Sequence, residues 1–280
     1  MSDRRFRFGL IAGQVRDLET WTGLARQAES LGYATFLATD PLERDEPLAA
    51  LAAAAAATRS IRLGTFVLCD AFRDPRLLAW EVASLSALSG GRFELGIGAG
   101  HPGAAEHCRR LGVPFGSGGE RVARLAVTLG ILKQPFGDPN GAAGQARPPI
   151  LVAGGGPRLL ALAAREADSV ALGWPPDTTE TAARQIVERT RQAAPDRFDD
   201  LELNSTLLAV GDDPPPWLRQ YGFDPVQLLR DGAVTVLGGT PRQMADTLLR
   251  RRDTLGVSYL ATSTAFAEVL APVVDELAGR

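Results

Sequence analysis

Short, mostly apolar runs alternate along the chain with longer segments whose apolar residues recur at helical spacing. "RFRFGLIAG" (5–13) reads as a first strand and "DLETWTGLARQAESLG" (17–32) as the helix after it. Asp17 is placed to cap that helix and Gly32 to stop it. "YATFLATD" is the second strand; the helix "EPLAALAAAAAATRS" follows, with Pro47 in its first turn. "IRLGTFVL" and "DPRLLAWEVASLSALSGG" make a third strand–helix pair. "RFELGIGAG" is the fourth strand; after a stretch read as loop, "GGERVARLAVTLGILK" is its helix. "PPILVAGGG" with "PRLLALAAREA" and "DSVALGW" with "TTETAARQIVERTRQ" give the fifth and sixth pairs. "DLELNSTLLAV" is the seventh strand, followed by the Pro-rich break "GDDPPPW" and an extra helix, "DPVQLLRDGAV". "TPRQMADTLLRRRDTLG", "VSYLATST" and "AFAEVLAPVVDELAG" complete the chain.

Eight β/α pairs in 280 residues predict an α/β fold of the (β/α)8 TIM-barrel type, for which about 250 residues is usual. The strand runs are mostly apolar, as parallel strands covered on both faces should be. No linker or low-complexity tract divides the sequence, so 1–280 is read as one barrel domain. A doubly wound open sheet shares the alternation and is the competing fold. "GIGAGHPG" (96–103) contains G-x-G-x-x-G, but Pro102 interrupts it, and the region where a ribose-binding acid is due reads as a helix start. A dinucleotide fingerprint is therefore the weaker reading.

A net charge of −3 encourages neither nucleic-acid nor membrane-surface binding. No apolar run approaches a membrane span. The apolar part of "MSDRRFRFGLIAG" is too short for a secretory signal. The two cysteines, Cys69 and Cys108, have neither metal nor redox spacing, so a cytoplasmic protein is expected.

In a barrel, chemistry collects at the C-terminal ends of the strands. The one lysine, Lys133, ends the fourth helix, which excludes a strand-end Schiff base. The fourth and seventh strands end in Gly/Ala and Leu/Ala, not in the facing carboxylates of a retaining glycosidase. His101 and His107, the two histidines, share one loop, with His107 read as a loop or helix surface residue, and no metal-ligand set is expected. What remains is a mouth of small residues, backbone amides and hydroxyls. "AGGGPR" runs a strand into three glycines and a Pro-started helix, a turn suited to a phosphate or simply to positive φ.

Taken together, "SGGRFELGIGAG", "RLGTFVL…FRDP", "PPILVAGGGPR", "ARQAESLGYATFLATD" and "TPRQMADTLLRRRDTLGVSYL" closely resemble signature segments of the luciferase-like monooxygenase superfamily. The resemblance covers nearly the whole chain and is greatest to the branch that uses the deazaflavin coenzyme F420. It implies a flavin or deazaflavin in the barrel mouth and a non-proline cis peptide, here Phe66–Val67, against the ring system. Thr65, Phe66, Val67, Gly98, Ala99 and Gly100 would then lie along the cofactor. Ala153, Gly154, Gly155 and Gly156 would hold its phosphate. It further implies an oxidoreductase acting on a small molecule, and a homodimer formed through helices near the alanine-rich segment.

Two departures stand out. Many members carry Asp-His at the end of strand two, where this chain has Asp40-Pro41. The stretch "QPFGDPNGAAGQAR" is shorter than the insertion common in the family. Candidate acid/base groups are His101, which could instead contact a phosphate or cap its loop, and Asp40, which could instead cap a turn. Gln14, Cys69, Arg73 and Trp174 are candidate pocket residues. The alternatives are plain packing for Cys69 and Trp174 and an ion pair with Asp74 for Arg73. The function expected is F420-dependent hydride transfer to or from a small organic or natural-product-type substrate. The alternatives are a monooxygenase using reduced FMN and O2, and a non-catalytic barrel that has become a binding protein.

Overall fold

The computed structural model describes residues 4–13, 17–42, 45–134, 147–212 and 215–280. Gln14, and residues 135–146 of the stretch read as a shortened insertion, lie outside these. Numbered in chain order, the strands are β1 (Arg7–Ala12), β2 (Thr35–Ala38), β3 (Arg62–Thr65), β4 (Leu68–Cys69), β5 (Phe93–Gly98), β6 (Ile150–Gly154), β7 (Ser169–Leu172), β8 (Glu202–Leu207), β9 (Ala209–Val210), β10 (Val236–Leu237) and β11 (Val257–Ser263). The α-helices are α1 (Leu18–Ser30), α2 (Pro47–Ala57), α3 (Pro75–Leu88), α4 (Ala104–Leu111), α5 (Gly118–Leu132), α6 (Pro157–Glu166), α7 (Glu180–Ala193), α8 (Pro225–Arg230), α9 (Pro241–Leu255) and α10 (Ala267–Leu277).

Parallel pairing runs β3-β2-β1-β11-β8-β7-β6-β5-β4, and β3 also pairs with β5, so the sheet closes. β3 and β4 are one barrel strand interrupted at the cis Phe66–Val67 peptide, each half pairing with β5. The eight strands and the helices between them form the expected (β/α)8 barrel. The capping signals hold: Asp17 accepts the Thr20 N–H, and Gly32 has φ +79°. Asp74 accepts two amides at the start of α3, and Arg73 pairs instead with Asp40 and Glu46.

Two elements differ from the sequence reading. Residues 104–111, read as loop, are α4. The helix has an acidic first turn at Glu106, basic residues Arg109 and Arg110 in its last, and Gly112 at φ +69° to stop it. "DLELNSTLLAV" is two strands: β8 stays in the barrel, while β9 leaves it to pair with β10, fixed by the Leu208 N–H to the Thr235 carbonyl at 2.6 Å.

The barrel axis is filled in layers. At the N-terminal end Arg7 donates to Glu94 at 2.6 Å and bidentately to Glu202 at 2.7 Å. Arg62 also pairs with Glu94. The Arg7 guanidinium lies 3.9 Å from the Tyr259 ring centroid. Burial opposes the Arg7 charge, but Tyr259 and the two carboxylates hold its pKa above the usual arginine value. Above this plug, Leu37, Leu151, Ala171, Tyr259 and Ala261 form the interior core, with Phe66 and Val67 against it. A larger apolar shell lies between the strands and the helices.

Ahead of β3, the carboxylate of Glu29 on α1 accepts the N–H groups of Arg59, Ser60 and Ile61 and the Ser60 hydroxyl, at 2.6–3.0 Å. Burial works to raise its pKa, but these four donors outweigh that and hold it down at about 2, against 4.5 for the free side chain. The folded value lies below the unfolded one. The stabilisation is therefore complete above about pH 4.5 and lost as pH falls through about 2. The urea midpoint of the wild type is expected to fall more steeply across this window than that of Glu29→Gln; parallel curves would contradict the assignment.

Candidate active site at the barrel mouth

A cavity of about 720 Å³ opens at the C-terminal ends of the strands. Its lining comes from Thr39, Asp40 and Pro41 after β2, from Phe66 to Cys69, from Gly98 to His101, and from Ala153 to Gly156. Phe72, Pro102, Ala104, His107, Leu159 and Gly173 complete it. Phe66, Val67, Gly98, Ala99, Gly100, Ala153, Gly154, Gly155 and Gly156, the nine predicted cofactor residues after Thr65, are thus together in one wall. Thr65 is not in it. Its buried hydroxyl donates to the Gly96 carbonyl at 2.7 Å and accepts the Gly96 N–H at 2.9 Å, which ties β3 to β5.

At Gly155 in the cavity wall and at Gly96 below it, backbone occupies the space a Cβ would need, whereas at Gly154 the Leu159 side chain does. A Cβ on Gly96 would lie 2.0 Å from the Thr65 carbonyl oxygen, and one on Gly155 would lie 2.1 Å from that of Gly173. α6 starts at Pro157 behind an N-cap, Gly156, that makes no side-chain capping bond. Backbone N–H groups of a first helical turn have no intrahelical partner and favour an anion.

Asp40 lines the cavity but is fully engaged. Its Oδ2 accepts the Cys69 N–H at 2.8 Å and Arg73 Nη1 at 2.7 Å, and its Oδ1 accepts Arg73 Nη2 at 2.9 Å. Arg73 also reaches Glu46, the N-cap of α2, at 3.0 Å. Burial works against the Arg73 charge, but the two carboxylates, Asp40 above all, keep its pKa above the ordinary value. The Asp40–Arg73 pair therefore pins the backbone of Cys69, next to the cis peptide. Burial pushes the Cys69 thiol up to about 11, so it stays a neutral thiol at physiological pH.

His101 follows β5, and its Nδ1 accepts the Gly103 N–H at 3.0 Å. In the neutral ring the hydrogen is then on Nε2, a donor. His107, expected on the surface, enters the cavity wall because α4 carries it there, its ring 5.9 Å from that of Phe72. The helix signals in "GAAEHCRRLG" could have revealed this. Trp174 is elsewhere: it lines a separate water-sized void with Ser205 and Arg251 behind the strands.

The luciferase-like monooxygenase family model matches residues 4–221, and the chain belongs to that family. An F420-dependent glucose-6-phosphate dehydrogenase of Beutenbergia cavernae is 34% identical over 127 residues, 42% of this chain and 36% of the relative. A 5,10-methylenetetrahydromethanopterin reductase of Methanolobus tindarius is 29% identical over 184 residues, 61% and 56% of the two chains. The chain thus spans about half or less of these relatives. Among solved structures, the F420-dependent tetrahydromethanopterin reductase of Methanopyrus kandleri superposes with a TM-score of 0.75 at 16% identity, covering 98% of both chains. An EDTA monooxygenase of Chelativorans gives 0.73 at 16%, covering 98% and 94%. At such identities these two likenesses bear on the fold.

Removing Asp40 strands a largely buried guanidinium, which costs about 3 kcal/mol. Asp40→Ala should lower stability to urea by that amount, and Asp40→Ala with Arg73→Met should recover most of it. A loss under about 1 kcal/mol for the single variant would contradict the clamp.

Proposed function

We propose that this chain is an oxidoreductase that holds the deazaflavin coenzyme F420 in the barrel mouth and moves a hydride between it and a small organic substrate. The observation that carries this reading is the continuous backbone-lined wall from Phe66 through Gly98–Gly100 to Gly154–Gly156, ending at the first turn of α6. A flat ring system with a phosphate tail fits such a wall, because glycine and alanine let it lie against the backbone. When bound, the deazaflavin supplies the hydride chemistry.

In this reading Phe66 and Val67 support the ring, Gly98, Ala99 and Gly100 flank it, and Gly154, Gly155 and Gly156 hold the phosphate at the helix N-terminus. His101 holds and moves the proton at Nε2, its ring fixed by the Gly103 amide. Asp40 keeps Cys69, and with it the floor of the site, in position. The F420 dependence printed in the name of one curated relative, the glucose-6-phosphate dehydrogenase of Beutenbergia cavernae, supports the deazaflavin over FMN.

Fluorescence titration should give micromolar or tighter binding of F420 and at least tenfold weaker binding of FMN. Once a turned-over substrate is in hand, His101→Ala should lower kcat by about 10²–10⁴ while leaving F420 affinity within threefold. Preferential FMN binding would replace this reading by the flavin monooxygenase. Binding of neither would leave a non-catalytic barrel.

The assembly in this reading is a homodimer. α2 exposes an alanine face at Ala49 and Ala56, and the adjacent α3 exposes Leu77, Trp80 and Leu88, Trp80 at 56%. Sedimentation should report a dimer at micromolar concentration that Trp80→Glu dissociates; a monomeric wild type would refute it.

A further inference from the structure

Two glycines bound α4, for different reasons. Gly112, which ends it, is at φ +69°, a conformation that other residues avoid. Gly103, which begins it, is at φ −63° and ψ −19°, an ordinary right-handed helical conformation that alanine adopts without strain. A glycine at such a position weakens the fold, because it gives the unfolded chain more freedom to lose. What excludes a side chain here is His101. A Cβ on Gly103 would lie 2.6 Å from His101 Cε1 and 2.9 Å from its Nδ1, and the same Nδ1 accepts the Gly103 N–H at 3.0 Å. The imidazole is thus folded back onto its own loop. The rest of the loop holds the backbone of His101. Gly100 before it is at φ +84°, and the Cys69 Sγ and the Phe115 ring lie 2.9 and 3.2 Å from where its Cβ would be. Pro102 after it disfavours helical backbone at His101. The His101 carbonyl accepts the Ala104 N–H at 2.9 Å.

We infer that Gly103 is a positioning residue that acts through His101: the missing Cβ lets the imidazole take the orientation in which the loop engages Nδ1 and Nε2 carries the hydrogen. The inference rests on the reading of His101 as the group that holds and moves the proton. A local preference broken without local compensation marks a position that serves the site, and here the preference broken is the helical backbone's for alanine over glycine. A Cβ at this position would displace the ring and leave the backbone in place, because a side chain changes rotamer more cheaply than a helix start moves. Nδ1 would then lose its donor, and the neutral ring would populate both tautomers.

Gly103→Ala in the full chain is the test. The sequence has two histidines, so the imidazole nitrogens of His101 are assigned in a long-range proton–nitrogen NMR spectrum by their loss in His101→Ala. At about pH 8, where an ordinary imidazole is neutral, the wild type should show the Nε2–H tautomer alone. Its Gly103 amide should exchange with solvent at least tenfold more slowly than in His101→Ala. In Gly103→Ala the two nitrogen shifts should move towards each other, while the urea midpoint stays level or rises. With F420 and a turned-over substrate, Gly103→Ala should lower kcat at least tenfold and leave KM within threefold. Gly103→Ala combined with His101→Ala should lose no more than His101→Ala alone, since one acts through the other. Mixed tautomers in the wild type, or a Gly103 amide that exchanges as fast as in His101→Ala, would overturn the inference, whether or not Gly103→Ala folds. So would wild-type nitrogen shifts in Gly103→Ala, or losses that multiply in the double variant. The expected NMR behaviour with kcat unchanged in His101→Ala would sink the proton-carrier reading and leave the ring's positioning by Gly103 standing.

Discussion

A closed eight-stranded barrel has to be filled with side chains along its axis, and the level at which the filling stops decides whether it is only a core or also a site. Here the filling starts with Arg7 between Glu94 and Glu202, continues through Tyr259, Leu37 and Leu151, and stops at Phe66 and Val67. Above that level β1, β2, β5 and β6 end in glycine or alanine. The mouth is walled by backbone, and the cavity is the space that the absent side chains leave.

That geometry needs strand three held firmly where it breaks. Two independent ties do this. Thr65 exchanges hydrogen bonds with Gly96 below the break. Asp40, itself locked by Arg73, takes the Cys69 amide above it. Arg73 in turn reaches Glu46 at the start of α2, so the ends of two strands and the entry to a helix share one ionic cluster. Asp40 therefore looks like a proton carrier by position and acts as a fastener by contact. His101 accepts the Gly103 amide at Nδ1, which leaves the hydrogen of its neutral ring on Nε2.

Much of this could be read from the sequence because it follows from local rules. Apolar runs of four to six residues separated by capped helices give the barrel, and Asp17, Pro47 and Gly32 mark helix ends where the structure has them. The glycines of "GIGAG" and "AGGGPR" also announced the wall. The physical reason at Gly96 and Gly155, the carbonyls of Thr65 and Gly173 lying where a Cβ would be, was not legible, since those partners are distant in sequence. Ion-pair choice was equally hidden: Arg73 stands beside Asp74 in the chain, yet pairs with Asp40 while Asp74 caps α3. Trp174 follows a strand end, but it packs behind the barrel with Ser205. The missed α4 is different in kind, for its stop signal at Gly112 was present. Reading it would have moved His107 from the surface into the wall.

A crystal structure of the chain soaked with F420 is the most direct measurement of the central claim, that backbone rather than side chains forms the binding wall. The account predicts the ring against Phe66–Val67 and Gly98–Gly100, with the phosphate on the amides at Gly154–Gly156. A ring bound outside this wall, or a phosphate held away from the α6 turn, would contradict it.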